Sequence, residues 1–273
     1  MLTNKTAVIT GASSGIGRSV ALRLAREGIH VFITGRSKEA LEQLKHQIEA
    51  EGGKASASAF DIRNTVVLQH FIQEAHAQTG RLDILINNAG LHLHGRIVDT
   101  GPDSWREMID VNIIALLAGT QAAVQSMRLH GEGGHIVNIS SGNAKEPGSD
   151  FYSATKHMVN ALGQALTKEL ASEPIRITTI MPGAVATNFG RTLEPARVEQ
   201  LAQVLGIELK FTPGDHLPES LLQRLHEAMG QTFLSSEDIS DAVLYALKQP
   251  LNIVVRELYV TAPNVYLGND VSF

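Results

Sequence analysis

Short apolar runs alternate along this chain with stretches in which apolar residues recur at helical spacing. TAVIT (6–10), HVFIT (30–34), DILIN (83–87), GHIVNIS (134–140) and RITTIM (176–181) read as buried strands. ASASAF (55–60) is a weaker strand by pattern, and ELYVTA (257–262) closes the series. Between them, Ile16, Val20 and Leu24 mark one helix, and Leu41, Leu44 and Ile48 mark a second that stops at Gly52 and Gly53. Further helical patterns cover 64–79, 103–127 and 152–172, and SSEDISDAVLYALKQP (235–250) reads as a capped helix. Strands apolar along their whole length, each followed by a helix, predict an α/β fold with a doubly wound parallel sheet covered on both faces. No linker and no repeat divides the chain, so residues 1–273 are expected to form a single domain.

One region departs from the alternation. Residues 188–233 contain no strand-like run but two amphipathic pieces, carrying Val198, Leu201 and Leu205, then Leu221, Leu225 and Met229. A segment of this length between a strand and the next core helix predicts a substrate lid. Its apolar stripes have to pack on the body, on a subunit or on substrate. A substrate with an apolar portion reaching under Leu221, Leu225 or their neighbours is the expected occupant, and a surface helical hairpin or subunit contact is the alternative.

Composition narrows the class. Of 273 residues, 43% are apolar and 19% charged, enough to bury a sizeable core. A formal charge of −5 without a dense basic stripe argues against nucleic acid and anionic membrane as partners. The chain has no cysteine, which excludes disulfides and thiolate metal sites. The opening MLTNKTAVITGAS has no secretion-signal pattern, and no stretch reads as an apolar run of the roughly 18 residues that span a bilayer. A cytoplasmic protein is the resulting expectation.

TGASSGIG (10–17) joins the first strand to the first helix. Gly11, Gly15 and Gly17 clear side chains from a turn where backbone can approach a pyrophosphate, and the helix start offers unpaired N–H groups to it. At the end of the second strand, NAD sites place an acid for the ribose 2′-hydroxyl, whereas a basic residue suits a 2′-phosphate. Here Gly35 holds the acid position and Arg36 follows, which favours NADP(H).

Together with NNAG (87–90), NISS (138–141), YSATK (152–156) and PGAVAT (182–187), in this order, the chain resembles the short-chain dehydrogenase/reductase family over essentially all of residues 3–262. The resemblance implies a Rossmann sheet of about seven strands and NAD(P)-dependent interconversion of carbonyls and alcohols. It places Ser13, Ser14 and Ile16 with the three glycines at the phosphates, Asp61 and Ile62 near the adenine, and Asn88, Ala89 and Gly90 beside the adenosine. Pro182, Gly183, Val185 and Thr187 fall at the nicotinamide. The catalytic set carries over as Asn112, Tyr152 and Lys156 with a serine, for which Ser140 and Ser141 are both candidates and Ser141 holds the matching position. It also implies a homodimer or homotetramer.

The YxxxK pair has a physical rationale. Hydride arriving at a carbonyl carbon leaves negative charge on oxygen, and a general acid must protonate it. A free tyrosine titrates near 10, so a neighbouring ammonium that favours phenolate brings it toward working pH. A serine hydroxyl can fix the substrate oxygen meanwhile. The expected function is NADP(H)-dependent reduction of a small-molecule ketone or aldehyde, or the reverse oxidation. An epimerase or dehydratase on the same scaffold is a second enzymatic reading, and a non-catalytic NADP-binding sensor or scaffold is the alternative from another class. His92 and His94 read as solvated or substrate-contacting loop residues at the pocket mouth, and Trp105 as a packing residue.

Overall fold

The structure, a computed structural model, describes residues 2–145, 150–189, 195–212, 215, 217–229, 232–250 and 252–263. Seven strands are described: β1 (Thr6–Thr10), β2 (His30–Gly35), β3 (Lys54–Ala59), β4 (Ile84–Asn87), β5 (Gly134–Ile139), β6 (Ile175–Pro182) and β7 (Glu257–Val260). They form one sheet in the order β3-β2-β1-β4-β5-β6-β7, and every pairing is parallel. The chain leaves β1 toward β2 and later returns to its other side as β4. That reversal opens a crevice at the carboxyl ends of the strands.

Register distributes the apolar residues between two cores. Ala7 and Ile9 of β1 pair with Val31 and Ile33 of β2. Ala7 also lies opposite Ile84, and Ile9 opposite Ile86, on β4. This set packs under α1 (Gly15–Arg26), α2 (Lys38–Ala50) and α9 (Ser236–Lys248). The intervening Val8, Phe32 and Leu85 face the other way, against α3 (Thr65–Thr79) and α5 (Ala115–His130). A period of two thus fills both faces at once, which is why the strands are apolar without alternation.

The long helical pattern expected over 103–127 is three pieces. These are α4 (Pro102–Ile109), a π-helical turn (Asp110–Ile114) and α5. The continuous helix Pro102–His130 is also long and apolar enough to cross a membrane by length and composition, which corrects the reading that no stretch approached this. More than half of its most apolar window is buried inside the protein, as befits the core helix of a covered sheet.

In the region after β6, α7 (Pro195–Val204) and α8 (Glu219–Met229) build a third, small core. Val198, Ala202, Phe211, Leu217, Leu221, Leu225 and Phe233 are buried there against Ala184 and Ala186 of the loop after β6. Leu221 and Leu225 are therefore taken up by intramolecular packing, a correction to the expectation that they meet substrate. The side chain of Met229 lies outside the described residues.

At the opposite end of the sheet, Asp83 ties three strands together. Its carboxylate accepts from Lys5 Nζ at 2.9 Å, from the Thr6 N–H at 2.9 Å and from Arg81 Nε at 2.8 Å. Its backbone carbonyl takes the N–H of His135 on β5. Burial opposes ionisation, but the hydrogen bonds from Arg81, Thr6 and Lys5 outweigh it and hold the carboxyl below its usual range. Asp83→Asn should therefore destabilise the protein by about 1–3 kcal/mol near neutrality, because the Thr6 N–H and the partly exposed Lys5 and Arg81 lose a charged acceptor. A depressed pKa confers stability that is present above the unfolded value, near 4, and lost as pH falls through the folded value. The gap between wild type and variant in urea unfolding should be full near pH 7 and narrow toward pH 3.

Candidate active site

The turn after β1 is shaped by close backbone approach. A Cβ on Gly11, whose φ is +67°, would lie 2.9 Å from Ala89 Cα, and one on Gly17 would lie 2.4 Å from the Gly11 carbonyl oxygen. Asn88 fixes this geometry: its Nδ2 donates to the carbonyls of Thr10 (2.9 Å) and Gly11 (3.1 Å). The Thr10 hydroxyl accepts from the N–H groups of Asn88 and Ala89 in turn. Ser14 caps α1 without a side-chain hydrogen bond, leaving the first-turn amides, Ile16 among them, available to an anion. Thr187 comes over the same helix start, its Cβ 3.2 Å from where a Gly15 Cβ would stand. These residues fit a pyrophosphate-bearing nucleotide lying across the turn.

Gly35 and Ser13 are coupled, since a Cβ at 35 would meet Ser13 Oγ at 3.1 Å. The strand end is thus kept free of any side chain, and Arg36 projects beyond it into solvent. Asp61, past the end of β3, accepts from Arg63 Nε at 2.9 Å. That hydrogen bond first, then the backbone N–H and charge of Arg63 and the charge of Arg36, keep its carboxyl below the usual range. The side chain of Ile62 packs on the core. The loop after β6 is clamped from two sides. Gly183 N–H donates to Val260 at 2.7 Å, and Val185 lies in a parallel bridge with Leu234.

Helix α6 (Phe151–Glu169) carries Tyr152 and Lys156 one turn apart in its first turns. Both are buried, at 5% and 4% exposed. Lys156 Nζ donates to the Ile139 carbonyl at 2.9 Å and stands 5.7 Å from the Tyr152 ring centre. Burial pushes the lysine down to about 8. It also pushes the Tyr152 phenol upward, an effect opposed by a hydrogen bond to Ser141 and reinforced by the charge of Asp150. The phenol is therefore held as the protonated acid.

Geometry separates the two serine candidates. Ser140 Oγ is buried and donates to the Lys156 carbonyl at 3.2 Å, a tie between β5 and α6. Ser141 caps the short turn that follows, accepting from the Asn143 N–H at 3.2 Å, and meets the Tyr152 phenol. The π-helical turn directs Asn112 inward. Its Oδ1 accepts from the Leu91 N–H at 2.8 Å, and its Nδ2 donates to the Leu91 carbonyl at 2.9 Å and to Thr155 Oγ1 at 3.0 Å. Asn112 thereby fastens the loop after β4 to α6. Gly90 closes the space between them, where a Cβ would stand 3.6 Å from Lys156 Nζ and 3.7 Å from Asn112 Oδ1.

Of three neighbours of the phenol, the sequence points to His92 alone, at the pocket mouth, and not to Asp150 or Phe189. His92 is buried, which corrects the solvated half of the expectation for it and leaves it beside the phenol. Its ring is stacked on Tyr152, with centres 4.2 Å apart and planes 16° apart. His92 Nε2 is hydrogen-bonded to Asp150 Oδ2 at 2.8 Å. Phe189 stands with its ring centre 5.6 Å from that of Tyr152. His92 and Asp150 lie 58 positions apart, so no local spacing could announce their pairing. Asp150 left a local signal, a helix-capping aspartate before the YSATK helix. Trp105 packs near Phe151 and donates to Thr100 Oγ1 at 2.8 Å, as a structural residue would.

Comparison with known proteins places this arrangement. The family model described as short chain dehydrogenase matches residues 5–197. An uncharacterized oxidoreductase of Staphylococcus aureus (strain MW2) is 36% identical over 262 residues, covering 95% of this chain and 98% of that protein. Among solved structures, a metagenomic short-chain oxidoreductase in complex with NADP superposes with a TM-score of 0.74 at 27% identity, covering 96% of this chain and 98% of that one. An alcohol dehydrogenase from the archaeon Thermococcus sibiricus, complexed with 5-hydroxy-NADP, gives a TM-score of 0.74 at 28% identity, covering 96% and 97%. With the sheet order, the glycine turn and the paired tyrosine and lysine already in place, the match over most of its length means that this chain belongs to the short-chain dehydrogenase/reductase family of oxidoreductases.

Proposed function

We propose that the protein transfers a hydride between NADP(H) and a carbonyl or secondary alcohol substrate, with Tyr152 as general acid in reduction and general base in oxidation. The observation that carries this reading is the buried Tyr152 phenol, hydrogen-bonded to Ser141 and one helical turn from Lys156. The cofactor, when bound, supplies the hydride. Negative charge then develops on the substrate oxygen. Tyr152 gives its proton to that oxygen, and Ser141 orients the oxygen by donating a hydrogen bond. The Lys156 ammonium stabilises the phenolate left behind. In oxidation the same phenolate takes the alcohol proton. Asn112 keeps the loop and helix that carry these groups at fixed separation. NADP(H) is favoured because Gly35 offers no acid, Arg36 offers a guanidinium to a 2′-phosphate, and two solved relatives carry NADP or a derivative of it.

We also read residues 188–233 as the element that shapes the substrate space. Phe189 supports this, since it is the described residue of that region that stands beside Tyr152. A second copy of the chain is the expected partner. Ile114, Leu117 and Met158 on adjoining helices leave apolar surface exposed for it.

Arg36→Ala should weaken NADP(H) binding at least tenfold, about 1.4 kcal/mol, and leave NAD(H) binding unchanged. Titration of both cofactors by NADPH fluorescence and by competition checks this, and equal losses for the two would count against it. Tyr152→Phe should bind NADPH normally while turnover of a carbonyl panel drops by about two orders of magnitude or more. Full turnover in that variant would remove the general acid from the mechanism. Ser141→Ala should lose more activity than Ser140→Ala, whose main effect should be on stability. Phe189→Ala should raise KM for apolar carbonyls several-fold with little change in kcat. An unchanged KM would leave the segment a packing role only.

A further inference from the structure

We propose that His92 and Asp150 form a positioning pair that holds the Tyr152 phenol in place and sets how readily it exchanges its proton. The inference rests on the reading of Tyr152 as general acid and base.

One carboxylate does two things at the start of α6. Asp150 Oδ1 accepts from the Ser153 N–H at 2.8 Å and from Ser153 Oγ at 2.6 Å, capping the helix that carries Tyr152. Its other oxygen holds His92 Nε2 at 2.8 Å. The backbone of Asp150 also bridges to Arg96, so the loop after β4 meets the helix start at two points. Between them lies the Tyr152 ring, with the imidazole flat against one face. Rotation of the phenol about its long axis is blocked on that side.

Packing alone does not require an imidazole. A phenylalanine at position 92 would stack on the ring equally well. The N–H matters because Asp150 is a partly buried negative charge close to the phenol, and it raises the phenol's hold on its proton. Burial works against the Asp150 charge, but the hydrogen bonds from His92 and Ser153 keep it ionised, well below the usual carboxylate range. His92 donates onto that charge and draws it away from the ring. Among the described residues, the ionisable groups beside the phenol are His92 from the loop after β4, with His94 packed against it, Asp150 at the cap of α6 and Lys156 within that helix. Arg96, on the same loop, turns outward to Asp99. Lys156 favours phenolate, Asp150 opposes it, and the His92 hydrogen bond sets how strongly Asp150 is felt.

The test follows the phenol directly, so it does not depend on finding the natural substrate. Protein carrying tyrosine labelled with 13C at Cζ is titrated by NMR with NADP+ bound, and the Tyr152 signal is the one lost in Tyr152→Phe. His92→Phe keeps the stacked ring and removes the N–H. Its Tyr152 midpoint should rise by about one pH unit, the scale expected of a newly exposed neighbouring charge. Asp150→Asn keeps a helix cap and removes the charge, so its midpoint should fall below that of wild type. The double variant should lose the upward shift, and His92→Gln, which can still donate, should show little of it. NADP+ affinity should be unchanged throughout. A Tyr152 signal that titrates identically in wild type and His92→Phe, or in neither, overturns the proposal. So does an upward shift that survives in the double variant, which would make His92 a packing residue. Should His92→Phe not fold, the downward shift in Asp150→Asn decides the matter, and its absence overturns the proposal. Loss of the acid–base role itself would show separately, as undiminished turnover in Tyr152→Phe.

Discussion

Lys156 places an ammonium group where almost no water reaches it, and the Ile139 carbonyl at 2.9 Å makes that burial tolerable. An isolated cation would be expelled from such a place or lose its proton. The bond therefore requires that the start of α6 remain seated on the carboxyl end of β5. Much of the surrounding structure serves this requirement. Ser140 joins β5 to α6 through the Lys156 carbonyl. Asn112, turned inward by the π-helical turn, joins the loop after β4 to Thr155. Asp150 caps the helix and grips His92. Tyr152 is held one turn from the lysine as a result, its ring stacked on His92.

The sheet supports this arrangement from below. Its reversal at β1 and β4 brings the glycine turn, Asn88 and Gly90 to one crevice, and Asn88 braces the turn through both side chain and backbone. The glycine turn and the Tyr152–Lys156 end are therefore parts of one edge of the sheet. A change in Asn88 should be felt in the turn, and through Gly90 in the space before Lys156.

Much of the fold was legible in the sequence because strands buried on both faces must be apolar throughout. TAVIT and HVFIT could hardly be anything else, and each is followed by a helix with a single apolar stripe. The glycine turn and the YxxxK pair were legible because both are local: their geometry is fixed by spacing within one element. What escaped was non-local or depended on what an apolar stripe packs against. His92 and Asp150 find each other only through the fold. Leu221 and Leu225 were seen as apolar and expected at substrate, but their stripe closes on Val198, Ala202 and Phe211 to make a separate small core. The helix Pro102–His130 was underestimated because a few polar residues interrupt a mostly apolar pattern, whereas in the fold it is the layer between sheet and surface.

The whole arrangement depends on Lys156 being a buried cation beside the phenol, and NMR of lysine labelled with 13C at Cε tests that most directly. Burial disfavours the charged form, so the charge should be present at lower pH and lost as pH rises through about 8. A Lys156 signal, assigned by its loss in Lys156→Met, that titrates near 8 in the cofactor-free protein is the predicted result. A midpoint near the ordinary lysine value of about 10.4 would mean an open, solvated side chain, and would contradict the account.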